Sequence, residues 1–333
     1  MFHFKNFMLA VGGLLSITIL LGSAPAVMAQ ETIGYWRFEE GQFLADDSRN
    51  KYTLTNDNGK AEQYNLTETN VATPEQLPQT GNKNHYGARL KNKASLSGMT
   101  RPEFYTEEFT IEMYIHPENN ATGTIASHWA TSAGAHGPAE RRWRLEVDED
   151  RQLRMVLSRD GTMGPRTTRP SESGMNINAG QTYYVAVAVE VGDNGTETTF
   201  HLKNLTQDNE LQSRTVTDAK VKQLHPSTAP FVIGACARGK GYHPKRVDHF
   251  EGIIDEVRWT ANVLDKDELL GIPAPPPPKV AEKAVGYWRF EGSKEDNEYL
   301  EDRGPNKLLL KNPNDLPQVS LHTYHWRSPG VYF

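Results

Sequence analysis

The stretch EFTIEMYIHP at residues 108–117 decides the fold class, because its apolar side chains recur at every second position. One face of this stretch carries only apolar residues, namely Phe109, Ile111, Met113 and Ile115. The other face is mixed. A period of two residues is that of a β-strand with one face in a core, whereas a helix repeats every 3.6 residues. The stretch therefore predicts a strand.

The same alternation dominates residues 33–260, and no long apolar pattern with helical period interrupts it. RRWRLEVDEDRQLRMVLS at 141–158 reads as a hairpin that turns at its acidic centre. TYYVAVAVEV at 182–191 is apolar on both faces, as expected of a central strand. Only LDKDELLG at 264–271 favours a helical turn, with Asp265 as its cap. These patterns predict an all-β protein built as a two-sheet antiparallel sandwich.

A repeat gives the domain organisation. GYWRFE occurs at 34–39 and again at 286–291, and the segment PAPPPPK separates the two copies. We predict a sandwich domain over 30–272, a stiff proline-rich linker over 273–284 and an incomplete second copy over 285–333. The second copy is expected to be disordered or to pair with a sheet edge of its own module or of a neighbouring molecule. The latter pairing would let the protein self-associate.

The first 29 residues read as a signal peptide: Lys5, then the apolar run FMLAVGGLLSITILLG, then the small residues AVMA. We therefore expect a secreted protein, extracellular or periplasmic, with no membrane anchor after cleavage; a transmembrane anchor is the alternative reading. The formal net charge of −6 argues against a nucleic-acid partner. Cys236 is the only cysteine, so stability must come from a large core, and the thiol is expected to be buried.

Three stretches carry a resemblance to a known family: GYWRFEEG with LADDSRNK near the start, EFTIEMYIHP in the middle, and FEGIIDEVRWTANVLDKDEL at 250–269. Together they resemble the laminin-G-like jelly roll of the concanavalin A-like lectin and glucanase superfamily, over residues 33–271. The resemblance implies a jelly-roll sandwich. Arg49 stands where the family usually has Gly, and the loops at 128–141 and 235–249 are long and idiosyncratic. Ligand choice would be encoded in such loops.

One carboxylate of the closing strand needs a partner. In FEGIIDEVRW, strict alternation places Asp255 on one face with Val257 and Trp259. A buried carboxylate requires a cation or several donors. A salt bridge to Arg37 would supply one. The other possibility is a Ca²⁺ ion that Asp255 shares with two residues of the first loop, Asp46 and Asn50. Some relatives in the family bind calcium.

EVDED at 146–150 is a candidate catalytic row, since Glu146, Asp148 and Asp150 alternate along one strand face. Catalytic glucanases of this superfamily carry such a row, and a retaining glycosidase needs two carboxyl groups about 5 to 5.5 Å apart. Here the third acid is Asp where those enzymes carry Glu, and the row runs into a charged turn. We predict a solvated hairpin end and no enzymatic activity.

The long loops are rich in aromatic, His and Arg side chains, which stack on sugar rings and grip hydroxyl or anionic groups. The candidate ligand-binding residues are Trp129, Arg141, Tyr242, His243 and Arg246. Their alternative role is to pack their own loops. We predict a secreted, non-catalytic module that recognises carbohydrate or another extracellular surface component. The alternatives are a glycoside hydrolase on the same fold and a structural or adhesive module that binds protein.

Overall fold

The computed structural model describes residues 32–67, 69–119, 122–131, 140–162, 168–238, 245–274, 321–324 and 328–331, with the backbone alone at 168–171, 321–324 and 328–331. The predicted signal peptide at 1–29 lies outside these residues, as does most of the predicted linker and second copy. Those three assignments stay predictions.

Eight strands form the first sheet: β1 (Thr32–Trp36), β3 (Glu62–Asn65), β4 (Tyr86–Leu90), β6 (Glu108–Pro117), β11 (Tyr183–Gly192), β12 (Gly195–Asn204), β13 (Gln212–Asp218) and β17 (Gly252–Thr260). Their spatial order is β13-β12-β11-β6-β17-β4-β3, and β1 pairs with β17. The opening strand is therefore closed by a strand more than 200 residues later, as the sequence predicts.

Nine strands form the second sheet: β2 (Thr55–Asn56), β5 (Leu96–Gly98), β7 (Gly123–Thr131), β8 (Glu140–Val147), β9 (Gln152–Ser158), β10 (Thr168–Asn176), β14 (Phe231–Ile233), β15 (Cys236–Arg238) and β16 (Lys245–Val247). Their order is β10-β9-β8-β7-β14-β5-β2, with β15 between β7 and β16. Pairing is antiparallel except between β15 and β7. Strands β18 (Leu321–Tyr324) and β19 (Ser328–Val331) form a separate pair.

The core lies between the two sheets, where the inward faces of their strands meet. The apolar face predicted for residues 108–117 is buried there, and Trp143 and Leu145 of β8 face it from the second sheet. Aromatic rings fill the centre: Phe109 stacks on Trp259 with ring centroids 5.6 Å apart. The predicted all-β jelly-roll sandwich is confirmed. Short 3₁₀ helices occur at Pro102–Phe104 and at Lys266–Glu268, the latter being the predicted helical turn.

A β-bulge corrects the face assigned to Asp255. Pairing between β17 and β6 shifts register between Asp255 and Arg258, and Glu256 has a positive φ of 52°. The extra residue makes Ile254 and Val257 both point into the core. Asp255 and Glu256 consequently lie on the outer face of the first sheet. Strict alternation placed Asp255 on the core face because sequence periodicity carries no signal for an inserted residue.

The outer face of the first sheet is covered by the chain itself. Residues 262–272 cross this face, where Leu269 and Leu270 pack with the rings of Tyr114 and Tyr184. Beneath them the buried Glu112 accepts hydrogen bonds from Arg258 Nε at 2.6 Å, from the Leu270 backbone at 2.7 Å and from the Tyr184 hydroxyl. Residues 262–272 therefore cover the part of this face that lies over β6, β11 and β17.

Candidate functional site

The outer face of the second sheet carries an open cleft of about 680 Å³. The end of the β8–β9 hairpin forms one wall, and the segment after β16 forms the other. Charged side chains dominate the lining, which consists of Lys93, Thr122, Gly123, Arg144, Glu146, Val147, Asp148, Glu149, Arg154, Arg246, Val247, Asp248, His249 and Glu251. Alternation along β8 and β9 explains this composition, because the apolar residues between them face the core.

Glu146 is the centre of an ion-pair network in this cleft. Arg154 Nε donates to Glu146 Oε1 at 2.8 Å, and Arg144 Nε lies 2.7 Å from Glu146 Oε2. Arg144 Nη1 reaches on to Asp248 Oδ2 at 3.1 Å. A second pair stands beside the network: Arg246 Nε contacts Asp57 Oδ2 at 2.7 Å. Such pairing holds the guanidinium groups in fixed positions along the cleft.

Trp129 lies beneath this network. Its ring is fully buried and packs with Val156 and Cys236. The guanidinium carbons of Arg144 and Arg141 stand 5.4 and 5.8 Å from the ring centroid. Trp129 therefore supports the arginines from below, a contact worth about 0.5–2 kcal/mol for each pair.

Cys236 is buried in the same cluster, as the sequence predicts. Its Sγ lies 3.4 Å from Asp248 Oδ2. Burial, followed by the negative charge of Asp248, raises the pKa of the thiol to about 12. The cysteine is therefore an unreactive packing residue near neutral pH.

The structure brings three of the five predicted ligand-binding residues to this face. Arg246 lines the cleft, Trp129 lies under it, and Arg141 reaches from the Trp129 ring towards the Gly161 carbonyl at 3.4 Å. Tyr242 and His243 lie outside the described residues. Ligand binding by Trp129, Arg141, Tyr242, His243 and Arg246 stays a prediction.

The acidic row is split by the structure. Both oxygens of Glu146 face guanidinium groups, whereas Asp148 accepts from the Gln152 backbone at 2.8 Å and caps the hairpin turn. Asp150 is exposed in that turn. Glu146 and Asp148 also share Arg154, whose Nη1 lies 3.8 Å from Asp148 Oδ2, and only Asp150 stands apart.

The three predicted calcium ligands have different surroundings. Both oxygens of Asp46 are occupied by donors of its own loop and of β1: Tyr35 N at 2.8 Å, Ser48 N and Ser48 Oγ at 2.7 Å, and Tyr52 N at 2.7 Å. Asn50 donates its amide to the Ile33 carbonyl at 2.9 Å. Asp255 lies instead beside Asn84, which precedes β4.

These contacts do not fit one calcium site made of Asp46, Asn50 and Asp255, because the oxygens of Asp46 are already filled. Within the ranges that the structure describes, no group of three or more His, Cys, Asp or Glu side chains is placed to hold a metal ion. Calcium binding itself stays a prediction.

The predicted salt bridge to Arg37 forms with the neighbouring residue. Arg37 Nε lies 3.1 Å from Glu256 Oε1, and the Tyr35 hydroxyl also donates to Glu256. Burial raises the pKa of Glu256, and the nearby Arg37 acts in the opposite direction. The closing strand is therefore tied to the opening strand as predicted, but through Glu256 because the bulge turns it towards β1.

Sequence reasoning missed Arg144, Arg154 and Asp248 as members of the site. The alternation of ERRWRLEV already places Arg144 and Glu146 on one face of β8. Arg154 follows on the returning strand of the same hairpin. The alternation along the hairpin could therefore have predicted Arg144 and Arg154. No sequence pattern predicts that Asp248 approaches them from a distant segment.

Among the described residues, no helix is long and apolar enough to cross a membrane. No curated protein sequence matches the chain. Three solved structures are among those to which the chain is similar. Domain 4 of AbnA, a GH43 extracellular arabinanase from Geobacillus stearothermophilus, in complex with arabinotriose, is 15% identical with a TM-score of 0.44, and the alignment covers 71% of this chain and 95% of that one.

The CBM40 of the Ruminococcus gnavus IT-sialidase, bound to α2,6 sialyllactose, is 17% identical with a TM-score of 0.35, over 50% of this chain and 82% of that one. The LG1–3 region of the laminin α2 chain is 8% identical with a TM-score of 0.39, over 53% and 31%. A family model described as the concanavalin A-like lectin/glucanases superfamily matches residues 91–270, over half of the chain. The chain therefore belongs to the Laminin_G_3 family of the concanavalin A-like lectin and glucanase superfamily, as its strand motifs predict.

Proposed function

We propose that this protein is a secreted, non-catalytic module that binds carbohydrate in the cleft on the outer face of the second sheet. The observation that carries the proposal is the ion-pair network of Arg154, Glu146, Arg144 and Asp248 along an open cleft. The central part of the corresponding face of the first sheet is covered by residues 262–272.

The network suits a polyhydroxylated ligand. Each sugar hydroxyl both donates and accepts hydrogen bonds, and the cleft presents donors and acceptors side by side. Ion pairs hold these groups in place before binding, which lowers the entropy cost of ordering them around a ligand. A volume of about 680 Å³ lies in the range of about 300–1,000 Å³ usual for small-ligand sites.

Charge balance favours a neutral glycan. The lining carries four basic side chains, Lys93, Arg144, Arg154 and Arg246, and five acidic ones, Glu146, Asp148, Glu149, Asp248 and Glu251. A polyanionic glycan would meet nearly as many repulsive as attractive charges in this cleft. A neutral glycan has no charge for the acidic side chains to repel, and it can form hydrogen bonds with both the acidic and the basic side chains.

The absence of catalysis is part of the proposal. A glycosidase needs one carboxylic acid that can donate a proton and a second carboxylate nearby. Glu146, the acid of the row that lies deepest in the cleft, faces Arg144 and Arg154 with both oxygens. This arrangement favours a recognition role for Glu146.

The test is a glycan array on the full chain, followed by calorimetry with the best neutral oligosaccharide. Arg154→Ala removes a cleft donor, and we expect at least a tenfold loss of affinity. Arg89→Ala is the matched control on the first sheet. Its side chain is 25% exposed and paired with Glu118, whereas that of Arg154 is 26% exposed and paired with Glu146. The control should bind like the parent.

Equal affinity of Arg154→Ala and the parent would remove the cleft as the site. Release of reducing sugar that disappears in Glu146→Gln would replace the proposal with the glycoside hydrolase. A chain that binds no glycan but retains a protein ligand would favour the adhesive module.

A further inference from the structure

Asp248 presents an unengaged carboxylate oxygen at the wall of the cleft. Its side chain is 52% exposed, and Oδ2 accepts from Arg144 Nη1 at 3.1 Å and from Cys236 Sγ at 3.4 Å. Within the described part of the chain these contacts use only Oδ2, so Oδ1 remains open to solvent in the cleft that Asp248 lines. An ionised carboxylate oxygen is an acceptor, and this one is available to a ligand hydroxyl.

The other acidic side chains of the cleft are less suited to this task. Both oxygens of Glu146 face guanidinium groups. Asp148 is 10% exposed, with one oxygen bonded to a backbone N–H of the hairpin turn and the other facing Arg154. The side chains of Glu149 and Glu251 have no partner within the described ranges, so nothing there fixes their positions.

Arg144 supplies a donor beside this acceptor. Its Nε pairs with Glu146 and its Nη1 with Asp248, whereas Nη2 takes part in no contact among the described residues. Nη2 is also not one of the fully buried polar atoms without a partner, so it reaches solvent. One ion pair therefore offers a free donor and a free acceptor to the same ligand.

The ion pair is held in place before any ligand arrives. The guanidinium carbon of Arg144 stands 5.4 Å from the ring centroid of the buried Trp129. Asp248 has a φ of 55°, a left-handed conformation that short polar residues tolerate, and its carbonyl accepts from the Thr124 backbone of β7 at 2.8 Å. Groups that are fixed in advance lose little entropy on binding.

We propose that the Arg144–Asp248 pair is the specificity-determining subsite of the cleft and that it binds a vicinal diol, two hydroxyl groups on neighbouring carbons of a sugar ring. One hydroxyl donates to Asp248 Oδ1, and its neighbour accepts from Arg144 Nη2. The inference rests on the proposed glycan site and names the class of glycan that the site accepts.

The linkage of a glycan decides whether its internal units carry such a diol. In a (1→4)-linked pyranose chain the hydroxyls at C2 and C3 of every unit are free. In a (1→3)-linked chain the free hydroxyls at C2 and C4 flank the linkage, so no internal unit has two neighbouring hydroxyls. We expect chains without the diol to bind at least tenfold more weakly, because a hydrogen bond to a charged group is lost.

The experiment compares, by calorimetry on the full chain, two oligosaccharides of the sugar that the glycan array identifies. One keeps the diol in every unit and the other is linked through it; for glucose these are cellohexaose and laminarihexaose. The first should bind at least tenfold more tightly. Asp248→Asn turns an amide N–H₂ towards the cleft in place of the acceptor, so this preference should disappear.

Arg144→Lys is the second variant, since it keeps the charge over Trp129 but has no second nitrogen to donate. It should also abolish the preference. The matched control is Asp47→Asn beside β1, whose side chain is 35% exposed and paired with Arg37. The control should keep the parent's affinity for both oligosaccharides.

Equal binding of the two oligosaccharides by the parent would overturn the subsite, as would a preference that Asp248→Asn and Arg144→Lys both leave intact. In either case the glycan site tested by Arg154→Ala would still stand. A parent that binds no glycan, or an Arg154→Ala variant that binds like the parent, would remove the proposed function and the subsite with it. If Asp248→Asn does not fold, Arg144→Lys and the comparison on the parent decide.

Discussion

The two outer faces of the sandwich carry similar side chains but differ in what covers them. On the first sheet, Glu112 and Arg258 form a buried pair under residues 262–272. On the second sheet, Glu146 and Arg154 form a comparable pair at the edge of an open cleft. The same ionic chemistry thus ties down the chain on one face and stays accessible to a ligand on the other. The two ion pairs have similar composition. They differ because a distant segment covers the Glu112–Arg258 pair and no described segment covers the Glu146–Arg154 pair.

The largest expected effect tests the closed face. Glu112→Gln leaves the buried Arg258 without its counter-charge, so we expect a loss of about 3–5 kcal/mol in the free energy of unfolding, measured with urea. Glu118→Gln, which affects the partly exposed pairs of Glu118 with Arg89 and Lys91, should cost about 1 kcal/mol or less. Equal costs would mean that the Glu112 pair does not hold residues 262–272 on the sheet.

The pH dependence of stability tests whether water reaches the buried side chains beneath the open face of the second sheet. His128 of β7 is buried against Phe104 and Tyr105, and its Nε2 lies 2.7 Å from Thr100 Oγ1. Burial, followed by the positive charge of Arg142, lowers the pKa of His128 to about 3.

The unfolded chain binds a proton near pH 6.5, where the folded chain does not. The stability that His128 contributes is therefore complete above that pH and is lost as the pH falls towards 3. Each pH unit below 6.5 should cost about 1.4 kcal/mol, or about 2 kcal/mol by pH 5. Other groups titrate too, so the measured quantity is the difference in slope between the parent and His128→Asn. Identical slopes would show that water reaches His128.

The smallest expected effect concerns the open face. Arg154→Ala removes a partly exposed partner of Glu146, and Arg144 remains beside that carboxylate. The free energy of unfolding should fall by about 1 kcal/mol or less, although glycan affinity should fall tenfold. A stability loss as large as that of Glu112→Gln would mean that the two faces serve the same structural purpose.

Much of the fold follows from local pattern. Strand β6 has the predicted bounds, the β8–β9 hairpin turns where its acidic residues predict, and Trp36 and Phe38 enter the core while Tyr35 faces outward. Period-two alternation is a local property of the chain, so the residues alone express it.

The candidate site was predicted only in part. The loop composition pointed to residues on the face that carries the cleft, and Arg246 lines that cleft. However, Trp129 was expected to meet the ligand and is buried beneath two arginines instead. Composition reveals which side chains are available, but not which of them another segment covers.

The sequence by itself determined the all-β class, the faces of its regular strands and the two ends of the module, because short-range alternation and terminal motifs express them. Only the tertiary structure decided that a bulge turns Glu256 to Arg37 and places Asp255 beside Asn84. It also decided that residues 262–272 close one face while the other stays open. These outcomes depend on distances of a few ångströms between residues that lie far apart along the chain, and no local pattern encodes such distances.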